Sequence, residues 1–411
     1  MATIRPFRAV RPSRGLAERI AAPAYDVVRD EDLRQITDAN PYSFLHITRS
    51  EADFAEGSDP YCTEVYRKSE ENAESFIERG YMSEDDRDMY YIYRMTMNGK
   101  STTGIAATAS IDEYAGGTIK KHEVILREKL TDRINHFYEC GFDTEPVLLT
   151  YRSDGTIEEL AGEYAGGNEP EYSFESGGVF HELWPVRDGS LVRKMTEYFR
   201  TVPCLYIADG HHRSASAYEV GERKRKENPG YSGDENFNFF MVTVFPGNEL
   251  TIMPYNRAVK DLAGLAPDEF LEKVREAGFT VEKAGGPFDP GEKYEIGMGV
   301  RGSWYRLRAG ESLRSDDIVK NLDVSILQDS LLSPVLGIGD PADDDRIDFF
   351  GGGIDAASLA EKADGSFDIV FTMYPVGIEE IMGVADIGGI MPPKSTWVVP
   401  KPLSGLFMYR L

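Results

Sequence analysis

The feature that most constrains this chain is the passage at 205–217, where the apolar run Leu205-Tyr206-Ile207-Ala208 meets a helical pattern across Asp209-Gly210. The apolar run reads as a buried strand, and the residues after Gly210 read as a helix continuing to about Lys226. Gly210 permits the sharp or left-handed turn that such a junction needs.

The same junction concentrates reactive groups. The first turn of a helix presents backbone N–H groups that attract anions, so a phosphate suits this position. Around it stand Asp209, a carboxylate of the kind that holds Mg²⁺, the imidazoles of His211 and His212, the Arg213 guanidinium for phosphate oxygens, and the Ser214 hydroxyl. Two adjacent histidines among six, flanked by Asp and Arg, read as an active-site loop. The plainer alternative is a surface turn whose histidines cap a strand.

A second constellation, Thr118-Ile119-Lys120-Lys121-His122-Glu123, precedes a stretch in which Leu126, Leu130, Ile134 and Phe137 fall on one helical face. This spacing predicts a helix with His122 and Glu123 at its N-terminal edge. A carboxylate there can act as general base for a hydroxyl, with Arg127, Lys129 and Arg133 supplying positive charge. The bland account is that Glu123 only complements the helix dipole.

Taken together, Lys121-His122-Glu123, a helix, the apolar run Pro146-Val147-Leu148-Leu149-Thr150 and the Asp209-Gly210-His211-His212-Arg213 turn resemble the ParB/sulfiredoxin-like superfamily, in particular its free L-serine kinases. The resemblance implies that Glu123, beside His122, is the catalytic glutamate. It further implies that Asp209, Gly210, His212 and Arg213 bind the nucleotide's phosphates and support the reaction, with His211 at the variable place. The chain departs from the compact kinases by an insertion at 152–200, expected as a loop that reshapes the substrate pocket. End to end, the chain also resembles the bacterial family of unknown function numbered 1015. That likeness is carried by Arg5-Pro6-Phe7, Ala22-Pro23-Ala24-Tyr25-Asp26, Asn40-Pro41-Tyr42-Ser43-Phe44, the two segments above, and Met391-Pro392-Pro393-Lys394-Ser395-Thr396.

At 411 residues the chain exceeds what one core usually organises. The expected division is an N-terminal α+β region at 1–110, a ParB/serine-kinase-like core at 111–228 and a C-terminal α+β domain at 229–411. Linkers are expected at 224–234 and 341–353. With 45 basic and 70 acidic residues the net charge is −25, which argues against nucleic acid and anionic membranes as partners. A phosphorylated ligand must then find a local positive pocket. Lys120, Lys121, Arg127, Arg133, Arg213 and Lys394 are candidates to build one.

Three scattered cysteines, Cys62, Cys140 and Cys204, fit neither a disulfide framework nor a zinc site. Cys204 is expected to pack in a buried strand. With no apolar span of membrane length, a cytoplasmic protein is expected. A helix is predicted over 59–79, with an apolar stripe that includes Tyr61, Val65, Ala73 and Phe76, and hairpins around Asn98-Gly99 and Arg301-Gly302. Lys394 with Ser395 and Thr396 suits an anion, but no Gly-rich loop precedes it, and a structural turn is equally consistent.

The reading that joins these features is a kinase moving a terminal phosphoryl group from ATP or ADP, with Mg²⁺, to the hydroxyl of free L-serine or a related amino acid. Glu123 is the base. Asp209 places the metal, while His211, His212, Arg213 and the backbone at Ser214 cradle phosphates. The alternatives are a nucleotide-binding switch without kinase activity, and a phosphohydrolase.

Overall fold

The computed structural model describes residues 2–411. The chain divides into two compact units. Of the described residues, the first comprises 2–121, 125–250 and 400–411, and the second 122–124 and 251–399. This differs from the three regions expected from sequence. Residues 1–110 and 111–228 share a single sheet, and the strand that follows them belongs to it too.

That sheet has nine strands: β1 (Ile4–Arg5), β2 (Tyr91–Met97), β3 (Lys100–Ser110), β4 (Ile119–Lys120), β5 (Val147–Tyr151), β6 (Tyr172–Ser176), β7 (Val179–Pro185), β8 (Leu205–Asp209) and β9 (Phe239–Pro246). Their order is β4-β8-β5-β9-β3-β2-β7-β6, with β1 pairing along β3. The central strands β5 and β9 are buried at every position, as expected for a sheet covered on both faces. Asn98 and Gly99 both have positive φ, 50° and 77°, so the β2–β3 hairpin forms where its Asn-Gly signal placed it. Gly104 is required on β3 because a Cβ there would lie 2.5 Å from the Phe245 ring.

The insertion at 152–200 is not a loop. It folds as a helix (Thr156–Gly167), the β6–β7 hairpin and a second helix (Gly189–Phe199), and it lengthens the sheet by two strands. Tyr172, Phe174, His181 and Leu183 alternate inward, which fixes the hairpin's register. Arg11 ties the N-terminal segment to this extension, donating to Asp85 at 2.6 and 2.7 Å, to Glu171 at 2.9 Å and to the Tyr172 hydroxyl at 3.1 Å.

Three helices of this unit matter below: α1 (Thr63–Glu78), α2 (Arg127–Cys140) and α3 (His211–Glu227). Helix α1 begins after Tyr61, which is exposed, while Val65, Ala73 and Phe76 are buried as expected. Helix α2 begins at Arg127, with Leu126 an exposed cap residue and Phe137 turned into the core. Cys140 is the buried cysteine. Cys204 is only partly buried, just before β8.

The second unit is a six-stranded antiparallel sheet in the order Phe279–Lys283, Ser303–Ala309, Glu295–Val300, Ile369–Met373, Asn256–Val259, Ile347–Phe350. Arg301 and Gly302 turn its hairpin with φ of 43° and 84°. The acidic and glycine-rich stretch at 341–353, expected as a linker, contributes its edge strand instead, paired to Asn256–Val259. The other expected linker, 224–234, lies within the first unit, and the division falls at residues 250 and 251. Among the described residues no helix is long and apolar enough to cross a membrane.

Candidate active site

Strand β8 carries an irregularity between Ile207 and Asp209 in its pairing with β5. Gly210 then takes φ 101° and caps α3, so the backbone reverses within one residue. A Cβ on Gly210 would lie 3.0 Å from the Arg213 side chain, which folds back over it. The glycine is thus required twice, for its left-handed backbone and for the arginine above it.

Asp209 is the electrostatic centre of this turn. Its Oδ2 accepts from Arg213 Nη2 at 2.5 Å and its Oδ1 from Lys401 Nζ at 3.0 Å. Burial alone would raise its pKa, but Lys401 and Arg213 more than offset this and hold the carboxyl below the ordinary aspartate range. Lys401 lies 192 residues away in sequence, and only the fold identifies it as Asp209's partner.

Two expected roles change here. Arg213 donates to the Pro146 carbonyl as well as to Asp209, so its guanidinium is directed into the protein and braces the turn. Ser214 is fully buried, and both its N–H and its Oγ bond the Gly210 carbonyl, at 2.9 and 3.1 Å. Its polar groups are therefore engaged inside the first turn and do not face a phosphate.

A protein-held magnesium at Asp209 also fits poorly, since each carboxylate oxygen already carries a cationic donor. Among the described residues no group of three or more His, Cys, Asp and Glu side chains is arranged to hold a metal. His211 is buried, whereas His212 is partly exposed and its Nε2 accepts from the Leu126 N–H at 3.0 Å.

His122 and Glu123 do not stand at the edge of α2. They precede its first residue by five and four positions, in a non-helical stretch grouped with the second unit. The helix-dipole account of Glu123 therefore fails. His122 is buried, Glu123 is partly exposed, and the His122 carbonyl accepts from the Met391 N–H at 2.8 Å. That bond anchors the Glu123 segment to the start of Met391-Pro392-Pro393-Lys394. In the same unit Lys394 adopts φ 55°, and its carbonyl accepts from Arg257 Nη2 at 3.3 Å.

Of the expected positive groups, Lys120 lies 5.7 Å from the centre of the Tyr206 ring and Lys121 lies 3.9 Å from that of Tyr114. Burial lowers the Lys121 pKa. Sequence reasoning also missed Asp143 and Glu145, which immediately precede β5 and are both buried. Burial pushes Asp143 up to about 7 and raises Glu145 as well. A carboxylate two residues from another, just before the apolar run Val147-Leu148-Leu149, was the available signal.

The chain belongs to the family described as "Protein of unknown function (DUF1015)", which matches over residues 4–325. No curated protein matches it. Among solved structures it is similar to a free serine kinase variant in complex with ADP and to one in complex with AMP. Each is 15% identical with TM-score 0.36, over 72% of this chain and 87% of the kinase. A conserved hypothetical protein from Pyrococcus furiosus is also 15% identical, with TM-score 0.34, over 72% of this chain and 90% of that one.

Proposed function

We propose that this protein is a nucleotide-dependent phosphotransferase with a ParB/sulfiredoxin-like core, acting on the hydroxyl of free L-serine or a related amino acid. The observation that carries the reading is the strand-to-helix junction. Asp209, Gly210 and the start of α3 form a rigid turn whose first helical N–H groups suit phosphate oxygens, with His212 and Lys401 beside it. Lys401 takes over the cationic role first assigned to Arg213, and Arg213 holds Asp209 in register.

Glu123 is assigned the role of general base on the residue resemblance, and chain geometry supports the assignment. Three links separate it from Leu126, whose N–H bonds His212, so their Cα atoms lie within about 11 Å of one another. A partly exposed carboxylate on that tether is suited to accept a hydroxyl proton as phosphoryl transfer proceeds. Magnesium enters this reading as the counter-ion carried by the nucleotide's phosphates, not as an ion held by Asp209.

The test is incubation of the purified protein with Mg²⁺, ATP or ADP, and each amino acid, followed by mass spectrometry of the products. Phosphoserine or another phosphorylated amino acid is expected. Release of inorganic phosphate alone would indicate hydrolysis, and nucleotide binding without any turnover would indicate a switch; either result overturns the kinase assignment.

A further inference from the structure

The first unit contains a small, half-open pocket whose lining includes Arg133, His136, Asp143, Thr144, Glu145 and Arg213. It lies between α2, the residues leading into β5 and the first turns of α3, and it shares Arg213 with the Asp209 turn. Its two cations and two carboxyls are not paired with each other. Arg133 donates through Nε and Nη2 to one oxygen of Asp132, at 2.9 and 2.7 Å, and its guanidinium lies 4.0 Å from the centre of the Tyr25 ring. Its Nη1 makes no hydrogen bond within the described protein. Arg213 is occupied by Asp209 and Pro146, as above.

Glu145 Oε1 accepts from the Tyr25 N–H at 2.9 Å and the Ser404 hydroxyl at 2.5 Å, whereas its Oε2 has no hydrogen-bond donor among the described residues. Asp143 accepts from the Met241 N–H at 2.7 Å. Neither carboxyl has a cation within ion-pair distance among the described residues. His136 does not supply one, because burial drives its pKa down to about 4 and keeps the ring neutral. Arg213 acts on both carboxyls through space, and Arg133 on Glu145, but neither forms a hydrogen-bonded ion pair with them and burial still raises both; a ligand that brings its own cation, beside a guanidinium with a donor to spare, would complete them.

We propose that this pocket is a subsite for a small zwitterion, an α-amino acid, with Arg133 Nη1 donating to its carboxylate and Glu145 and Asp143 receiving its ammonium. The choice of an amino acid over another zwitterion rests on the kinase reading, since the subsite adjoins the turn assigned to the phosphate donor. Each ligand charge meets its opposite, and both protein charges are already held in place by Asp132, Tyr25 and Ser404. The ligand therefore binds a prepared site and does not have to order one.

Calorimetric titration of the full-length protein with L-serine, with and without ADP, tests this against ethanolamine, which lacks the carboxylate, and 3-hydroxypropionate, which lacks the ammonium. L-serine is expected to bind roughly 10- to 100-fold more tightly than either, the equivalent of one charge-assisted contact. Glu145→Gln, which retains size and the ability to accept from Tyr25 and Ser404, and Arg133→Gln are each expected to raise the KM for the amino acid by a similar factor while leaving that for the nucleotide unchanged. Equal affinity for the three ligands, or no binding of serine under either condition, overturns the subsite on the wild-type protein, whatever the variants do. Product formation with unaltered amino-acid KM in both variants also overturns it, yet leaves the kinase reading intact. Selective serine binding without any phosphorylated product overturns the kinase reading and leaves the subsite standing.

Discussion

Each unit buries an arginine beside its sheet, and the two are handled in opposite ways. Arg213 meets the carboxylate of Asp209, which Lys401 also engages, so charge is balanced within a few ångströms. Arg257 is the more deeply buried, but among the described residues its hydrogen bonds reach only the carbonyls of Tyr255 and Lys394. Burial accordingly pulls its pKa down to about 10, whereas the pKa of Arg213 is raised. Paired charges form a network that can hold and release an anionic ligand's charge. An arginine bonded only to carbonyls acts as a strap on the backbone, here holding Lys394 in its left-handed conformation. On the proposed reading, phosphate chemistry belongs to the first unit and Arg257 has a supporting role.

Glu123 offers the strongest attempt to break that division, because it groups with the unit that contains Arg257. Glu123→Gln preserves size and hydrogen bonding but cannot act as a base. Turnover is expected to fall by roughly 10²- to 10⁴-fold with nucleotide affinity nearly unchanged. Normal serine phosphorylation by a folded Gln variant would remove Glu123 from the mechanism and leave the chemistry wholly in the first unit.

The next effect is on stability. Asp209→Asn leaves Arg213 and Lys401 facing each other without their shared carboxylate, and a loss of about 3 kcal/mol is expected from denaturant unfolding. Arg257→Met sharpens the contrast, since it strands two carbonyls but also removes a buried charge. Its cost should be smaller, about 1–2 kcal/mol. If the two substitutions cost the same, local charge balance is not what separates the sites.

A smaller effect concerns pH. Asp143 in the first unit and Asp323 in the second are each pushed up to about 7 by burial. Both favour the folded state when protonated, so the stability they contribute is complete below the ordinary carboxylate pKa and is lost as pH rises towards 7. Between pH 5 and 7.5 the melting temperature is expected to fall by several degrees. Asp323→Asn should flatten only the second unit's share. An unchanged slope would place the titration elsewhere.

Much of the local structure was legible because it rests on short-range rules. The Asn98-Gly99 and Arg301-Gly302 hairpins form as their dipeptides predict, and Gly210 takes the positive φ that a strand-to-helix junction demands. Helix α1 starts later than the apolar stripe suggested. Tyr61 belongs to the turn before it, and an aromatic side chain at that spacing does not by itself reveal whether it is inside the helix. The reading of 152–200 as a loop failed for a different reason. Its alternating residues become a hairpin only by pairing with β2, a strand some ninety residues earlier, and periodicity cannot show which edge will accept them.

At the site, sequence alone supplied the Asp209 to Arg213 turn and Glu123 as candidates, because their residue types and spacing are local properties. Which way each side chain faces was decided by tertiary structure. Ser214 and Arg213 point inward because α3 packs on the sheet through the face that carries them. Asp209 gains Lys401, and Glu145 gains Ser404, because the C-terminal residues return to the first unit. Charge, unlike backbone conformation, acts through space: a pattern of neighbours along the chain determines turns and helices, but only the folded chain determines which cation a carboxylate meets.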